Sequence, residues 1–323
     1  MKTALLFPGY GSQFVGMGKE LYDEYRIVQE YFEEASHVLD TNFVKLCFAS
    51  SDAELSKLAH AYTSLFLVGA STYAVLKENG VLIDIVAGYN NGESAALFAA
   101  GCFSLPDGLY LLNKFCSFYQ EAADAMDVDA LHITGVATAQ LEKACEQLSK
   151  DEDKIFVAIY NSPTDHIVAG HRDQLAELHD MFESSGTLEY VGIEVGLHSS
   201  LMDGVVDVFK SFLEKVDFKD LKIPLISCID GHTVTAGSDT KERFIRHISS
   251  PLEWFYASRM LAHYDCILIA TPSQYLCDMV KNQYPEKTVL PITTKDDIEK
   301  IKEIVNIKNE NENTGLDDGN RNE

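Results

Sequence analysis

Short apolar runs alternate with amphipathic stretches along most of this chain. Residues 3–7 form an apolar run that stops at Pro8, and residues 81–87 form a second one. Between them, residues 18–39 and 64–77 carry apolar side chains at helical spacing. Strands that alternate with helices in this way predict an α/β fold with a parallel sheet.

A different order of elements occupies residues 128–195. The hydrophobic pattern there predicts a strand, a helix, two strands, a helix and a strand, the βαββαβ order of a ferredoxin-like unit. We therefore predict a small domain at 128–195, inserted into an α/β core of residues 1–127 and 196–307. Residues 308–323 are polar and lack apolar anchors, which predicts a disordered acidic tail.

The charge of the chain excludes several classes of partner. It has 50 acidic and 26 basic residues, a formal net charge of −24. Nucleic acid and anionic membrane surfaces attract clustered Lys and Arg, so neither is expected as a partner. An anionic ligand such as coenzyme A would need a local basic pocket.

The cysteines and the N-terminus indicate a cytoplasmic protein. None of the seven cysteines forms a CxxC pair, and most lie among apolar neighbours, which is typical of reduced, buried thiols. The N-terminal apolar run is too short for a signal peptide, and no apolar stretch is long enough to span a bilayer. The histidines other than His198 are scattered without metal-ligand spacing, and we expect no metal.

One segment has the pattern of a strand, a sharp turn and a helix. Residues Gly88-Tyr89-Asn90-Asn91-Gly92 follow an apolar run and precede a helix of small residues that ends at Gly101. Two glycines at this spacing let a strand turn abruptly into a helix, as in the nucleophile elbow of α/β hydrolases. Asn tolerates the positive φ that such a turn imposes.

Five motifs in order resemble the malonyl-CoA:acyl-carrier-protein transacylases, the acyltransferase family of fatty-acid and polyketide synthesis. They are Phe7–Gln13 with Gly16-Met17-Gly18, Gly88–Leu97, Tyr160–Pro163 with Gly170, Leu197–Met202, and Pro224–Ser227 with Pro251–Trp254. The resemblance covers residues 1 to about 290. It implies a hydrolase-like core with an inserted ferredoxin-like domain, and acyl transfer between coenzyme A and a carrier protein without a cofactor.

The resemblance also assigns the chemical positions. Asn90 stands where the family has its nucleophilic serine, and His198 keeps the place of the catalytic base. The oxyanion donors would be the backbone amides of Tyr10 and Asn91. Because an amide side chain has no proton that a histidine can usefully remove, Asn90 predicts loss of the covalent chemistry.

The substrate-binding positions depart as well. Tyr89 replaces a histidine, Tyr10 replaces a glutamine, and Phe115 replaces the arginine that pairs with the malonyl carboxylate. An unpaired buried carboxylate costs on the order of 3–5 kcal/mol, so an apolar acyl chain fits Phe115 better. With Asn91 and Leu197, these residues form the predicted substrate-binding set.

Neither of two substitute nucleophiles is convincing. Ser94 lies one helical turn beyond Asn90 and should be recessed. Cys116, beside Phe115, is better explained as a buried structural thiol.

Three functions remain open. The first is an impaired acyltransferase that binds acyl-CoA, an acyl carrier protein or an active acyltransferase paralogue. The second is an active transferase or thioesterase that uses His198 on a non-malonyl acyl group. The third is an assembly subunit in which Tyr10, Tyr89 and Phe115 fill the acyl site.

Overall fold

The computed structural model describes residues 1–150, 154–191, 196–270 and 273–314. The elements up to residue 124 are β1 (Thr3–Phe7), α1 (Lys19–Glu24), α2 (Arg26–Leu39), α3 (Phe43–Ala49), α4 (Asp52–Leu55), α5 (Leu58–Glu78), β2 (Ile85–Gly88), α6 (Glu93–Ala100) and α7 (Leu105–Asp124). The next elements are β3 (Val128–Thr134), α8 (Thr138–Leu148), β4 (Ile155–Ser162), β5 (Asp165–His171), α9 (Arg172–Phe182), β6 (Thr187–Tyr190), α10 (Asp203–Leu213), β7 (Leu225–Ile226), β8 (Thr233–Val234), α11 (Gly237–Ser249) and α12 (Trp254–Arg259). The last are β9 (Cys266–Ala270), α13 (Gln274–Gln283), β10 (Thr288–Ile292) and α14 (Lys295–Thr314). Short 3₁₀ turns occupy Asn90–Gly92, Ser200–Met202 and Met260–His263.

The elements form two compact units. The first comprises Met1–Leu109, Ile223–Leu225 and Leu261–Glu323, and the second comprises Tyr110–Lys222 and Ile226–Met260. The second unit therefore extends well beyond the inserted segment 128–195 of the sequence analysis.

A parallel sheet lies at the centre of the first unit. Its strands follow the order β10-β9-β1-β2, and Ala4 pairs with Ile85 while Thr3 pairs with Cys266. The backbone of Val86 also donates to the carbonyl of Pro224, just before β7. All five residues of β1 are buried, as expected for a central strand covered on both faces. The predicted parallel α/β core is confirmed.

Helix α5 is buried along most of its 21 residues. Its Gly69 lies against the sheet and α6, since an added Cβ would stand 3.0 Å from the Ala95 Cβ and 3.1 Å from the Phe7 ring. A helix that is apolar on all sides belongs inside a core. Among the helices of the described residues, none is both long and apolar enough to cross a membrane.

The second unit contains the predicted ferredoxin-like arrangement. Strands β3 to β6 form an antiparallel sheet in the order β4-β5-β3-β6, with α8 and α9 between them in sequence. Its core consists of apolar residues from the sheet and both helices, including Leu131, Ile133, Leu141, Leu175 and Leu178. Of the last predicted strand, residues 192–195 lie outside the described residues.

Several element bounds differ from the sequence analysis. The helix predicted at 18–39 is divided at Tyr25, which has an extended backbone. Strand β2 starts only at Ile85, because Leu82 is 72% exposed and the Asp84 carboxylate accepts from the Thr3 amide at 2.7 Å. Regular backbone pairing with β1 therefore begins at Ile85, directly after this side-chain contact of Asp84. Strand β7 is short, with only Leu225–Ile226 in regular strand conformation.

Helix α14 corrects part of the predicted tail. It runs to Thr314, so residues 308–314, predicted to be disordered, are helical. Thr294 accepts from the Asp297 amide at 3.1 Å and caps the helix start, and buried Ile298 and Ile301 anchor its first turns. Once nucleated, a helix propagates by one backbone hydrogen bond per added residue, and α14 does so through 308–314 although Asn and Thr there have low helix propensity. Residues 315–323 lie outside the described residues.

The turn from β2 into α6 requires glycine for steric reasons. A Cβ on Gly88 would lie 2.0 Å from the amide nitrogen of Glu93, and one on Gly92 would lie 2.1 Å from the carbonyl oxygen of Phe7. Both obstacles are backbone atoms, which cannot move aside as a flexible side chain can. The two glycines therefore permit the contact between the turn and strand β1.

We expect Gly92→Ala to lower the free energy of unfolding by about 3 kcal/mol or more, because the added methyl overlaps the Phe7 backbone. Gly204→Ala is the matched control, since nothing lies within 4 Å of its added Cβ and it stands in α10. Its effect should be favourable and at most about 1 kcal/mol. Urea unfolding followed by circular dichroism measures both, and equal effects would contradict the steric explanation.

Candidate active site

Asn90 occupies the apex of the turn between β2 and α6. Its φ is +52°, one of three positive values at non-glycine residues among the described residues. The turn is closed by two backbone hydrogen bonds, from the Tyr89 amide to the Phe7 carbonyl at 2.9 Å and from the Gly92 amide to the Tyr89 carbonyl at 3.0 Å. The geometry expected of a nucleophile elbow is present, and its apex carries a carboxamide.

Asn91 contacts the loop after β1. Its side-chain Oδ1 accepts a hydrogen bond from the backbone amide of Tyr10 at 2.5 Å. Asn91 is only 7% exposed and Tyr10 is half-buried, so the acceptor side of this contact is largely shielded from water. The sequence analysis identified the Tyr10 amide as a potential oxyanion donor, and the structure shows that the next residue after Asn90 supplies its acceptor.

The two tyrosines near the turn have separate neighbours. The Tyr10 hydroxyl donates to the carbonyl of Ser56 at 2.6 Å, and its ring centroid lies 6.0 Å from that of Tyr62. The Tyr89 ring lies 6.0 Å from that of Tyr275. Each tyrosine thus packs against a different ring of the first unit.

Helix α6 starts with two buried polar residues. Glu93 is 2% exposed and Ser94 is 4% exposed. Ser94 lies in the first turn of the helix, beyond Asn90. Its burial agrees with the expectation that it is recessed.

His198 belongs to the second unit, and hydrogen bonds fix both its backbone and its ring. Its backbone amide donates to the Ile248 carbonyl at 2.9 Å, and its φ is +58°. The ring Nδ1 lies 2.5 Å from the carbonyl oxygen of His247. Because a carbonyl only accepts, Nδ1 must carry the proton, and the neutral ring has its acceptor lone pair on Nε2. This is the tautomer of a general base.

Burial keeps His198 neutral. The residue is 3% exposed, and burial lowers its pKa well below the usual value for histidine. The nearby His247 lowers the pKa further, while the hydrogen bond to the His247 carbonyl acts in the opposite direction. The proton-accepting form therefore predominates at neutral pH.

The segment around His198 is preorganised by its neighbours. Leu197 is 2% exposed. The Ser199 hydroxyl donates to the Gly196 carbonyl at 2.7 Å and accepts from the Leu201 amide at 3.4 Å, which caps the following 3₁₀ turn. These contacts stabilise the unusual backbone of His198.

Sequence reasoning missed the role of His247. Its backbone carbonyl orients the His198 ring, and its own ring lies 4.9 Å from that ring, nearly perpendicular to it. A backbone carbonyl leaves no signal in residue identity, so no motif could have identified it.

Phe115 lies in an aromatic cluster of the second unit. Its ring is 5.9 Å from that of Tyr119, nearly parallel to it, and 5.8 Å from that of Phe209. Phe115 is 7% exposed, and the adjacent Cys116 is 1% exposed. Phe115 therefore belongs to a hydrophobic core, and the burial of Cys116 agrees with a structural thiol.

Two basic side chains of the second unit, Lys114 and Arg243, make intramolecular contacts. Arg243 forms an ion pair with Asp230. The Lys114 ammonium lies 5.8 Å from the centroid of the Phe212 ring.

Comparison with known proteins identifies the family. Residues 4–260 match the family described as the acyl transferase domain. A malonyl CoA-acyl carrier protein transacylase of Bacillus subtilis (strain 168) is 29% identical over 316 residues, which covers 97% of this chain and 99% of the relative. A transacylase of the same name from Staphylococcus aureus (strain MRSA252) is 24% identical over 301 residues, which covers 92% of this chain and 97% of the relative.

Solved structures share the fold. An acyl carrier protein S-malonyltransferase from Vibrio cholerae superposes with a TM-score of 0.88 at 22% identity, covering 93% of this chain and all (100%) of that one. A malonyl-transacylase solved in complex with a type II polyketide synthase acyl-carrier protein has a TM-score of 0.89 at 21% identity, covering 94% of this chain and 100% of that one. On the match over residues 4–260 and the end-to-end alignment with the Bacillus relative, this chain belongs to the acyl transferase domain family and is similar to its malonyl-CoA:acyl carrier protein transacylases.

Proposed function

We propose that this chain binds acyl thioesters of the kind its family transfers but forms no acyl-enzyme intermediate. The observation that carries the proposal is Asn90 at the apex of the turn, with φ +52°. Covalent catalysis requires a nucleophile that a neighbouring base can deprotonate. A carboxamide does not meet that requirement, although it keeps the backbone shape.

The proposed acyl group is apolar. Phe115 packs against Tyr119 and Phe209 where the resemblance places a carboxylate-binding arginine. A guanidinium pairs with a carboxylate through two parallel hydrogen bonds, and an aromatic ring offers none. Malonyl selectivity is therefore not expected.

The proposed macromolecular partner is an acyl carrier protein or an active acyltransferase paralogue. Relatives are named for their action on an acyl carrier protein, and one structural neighbour was solved in complex with one. A reducing, cytoplasmic location suits this role, and the seven cysteines, all within the described ranges, are free thiols.

His198 supports a second candidate function, slow thioester hydrolysis without a covalent intermediate. Its Nδ1–H is oriented by the His247 carbonyl, and the depressed pKa keeps the ring neutral. A base in this state can accept a proton from water as the water attacks a thioester. The products would be a free carboxylic acid and the coenzyme A thiol.

The main test is intact-mass spectrometry after incubation with malonyl-, acetyl- and hexanoyl-CoA. We expect no covalent adduct on the wild-type chain, and none on the control variant Asn90→Ala, because neither has a nucleophile at the apex. An acyl adduct on the wild type, mapped to Ser94 or Cys116, would overturn the proposal.

Hydrolysis tests the second candidate. If His198 is the base, release of free thiol from hexanoyl-CoA should fall by about 10²-fold or more in His198→Ala, in the range of a general base. His247→Ala is the matched control, since it keeps the backbone carbonyl that orients His198. A wild-type rate no faster than that of His198→Ala would exclude this function.

The pKa of His198 predicts a pH dependence of stability. When the pH is below 6.5, the usual pKa of histidine, His198 is protonated in the unfolded chain but stays neutral in the folded chain, where its pKa is lowered. The free energy of unfolding should therefore fall as the pH drops through and below 6.5. His198→Asn keeps a donor for the His247 carbonyl and tolerates positive φ, but it does not titrate.

Urea unfolding of both proteins between about pH 7.5 and pH 5 measures the difference. The wild type should lose more stability than His198→Asn over this range. Parallel curves would show that His198 titrates normally in the folded chain.

A further inference from the structure

The contact between Asn91 and Tyr10 joins two residues of the first unit that are 81 positions apart. The donor is a backbone N–H, so the side-chain atom that faces it must be the amide oxygen. The N···O distance is 2.5 Å and Asn91 is 7% exposed. Water therefore competes little for this donor, and the hydrogen bond is a stable part of the folded turn.

The Tyr10 amide lies where an oxyanion-hole donor is expected. In enzymes with a strand–turn–helix nucleophile turn, the oxyanion hole consists of the amide after the nucleophile and a second amide from a neighbouring loop. Here the residue after the apex is Asn91, and Tyr10 lies in the loop after β1. The Tyr10 amide thus has the position of the loop donor.

We propose that Asn91 blocks the oxyanion site by placing its own amide oxygen against the Tyr10 amide. The inference rests on the proposed function, since it concerns the same turn. A carboxamide oxygen and a thioester carbonyl oxygen are both hydrogen-bond acceptors. The single Tyr10 amide proton can make a short hydrogen bond to only one of them, so the two oxygens compete for it. A thioester bound here lacks the polarisation that acyl transfer requires.

Restoring the nucleophile alone should not restore efficient acyl transfer. Restoring a hydroxyl with Asn90→Ser supplies a nucleophile but leaves the Tyr10 amide engaged by Asn91. In acyl transfer the hydroxyl oxygen bonds to the thioester carbonyl carbon, the carbon–sulfur bond breaks, and the hydroxyl proton ends on the coenzyme A thiol. The negative oxygen of the tetrahedral intermediate needs the donor that Asn91 holds.

The test compares three variants with hexanoyl-CoA: Asn90→Ser, Asn90→Ser with Asn91→Leu, and Asn90→Ser with Asn91→Asp. Intact mass gives the rate of ester formation. We expect Asn91→Leu to raise the rate at least about tenfold over Asn90→Ser alone, because losing one oxyanion donor typically costs about 10²–10³-fold. Asn91→Asp keeps an acceptor oxygen and should leave the rate low.

Equal rates with Asn91 and with Asn91→Leu, including no reaction in either, would overturn the inference. Asn91→Ala replaces Asn91→Leu if the larger side chain prevents cooperative thermal unfolding. Acylation of the wild-type chain would instead overturn the proposed function, so the two failures are distinguishable.

A second measurement does not depend on activity. The amide proton of Tyr10, observed by NMR, should shift upfield and exchange faster with solvent in Asn91→Leu than in the wild type. Asn91→Asp should preserve both properties. An unchanged Tyr10 amide in Asn91→Leu would show that Asn91 does not occupy this donor.

Discussion

The close approach of the β2–α6 turn to strand β1 is the constraint on which the site depends. The backbone around Gly92 lies so near Phe7 that an added Cβ would stand 2.1 Å from its carbonyl oxygen. This contact directs Asn90 to the apex and brings Asn91 beside the loop that carries Tyr10. Selection can change the side chains of the turn freely only at positions that this backbone contact does not restrict.

The site therefore separates shape from chemistry. Asn90 adopts the positive φ of an elbow apex, but its carboxamide has no proton that a base can readily remove. In the second unit, His198 by itself has the tautomer of a base. Asn91 in the first unit and Phe115 in the second both make their contacts within the protein: Asn91 accepts from the Tyr10 amide, and Phe115 packs against Phe209.

Local patterns predicted a large part of this structure. The ferredoxin-like order of β3 to β6 follows from hydrophobic periodicity, and the turn at Asn90 follows from the spacing of Gly88 and Gly92. Interactions between distant residues were not predictable in this way. Neither the Asn91 contact to Tyr10 nor the His247 carbonyl at His198 is marked by a motif, because each depends on tertiary folding and involves a backbone group. The predicted strand at 81–87 began too early for a related reason, because the apolar character of Leu82 gives no sign that its side chain is exposed.

Asn91 and Gly92 also form a dipeptide that is chemically fragile in flexible chains. Asparagine before glycine loses ammonia when the glycine nitrogen attacks the side-chain carbonyl carbon and closes a five-membered imide. In this turn the Gly92 nitrogen donates to the Tyr89 carbonyl, and the Asn91 oxygen is held by the Tyr10 amide. Both reacting groups are tied to other partners and buried, so cyclisation must wait for the turn to open. The fraction of chains deamidated at Asn91 therefore increases with the time that the chain spends with this turn open.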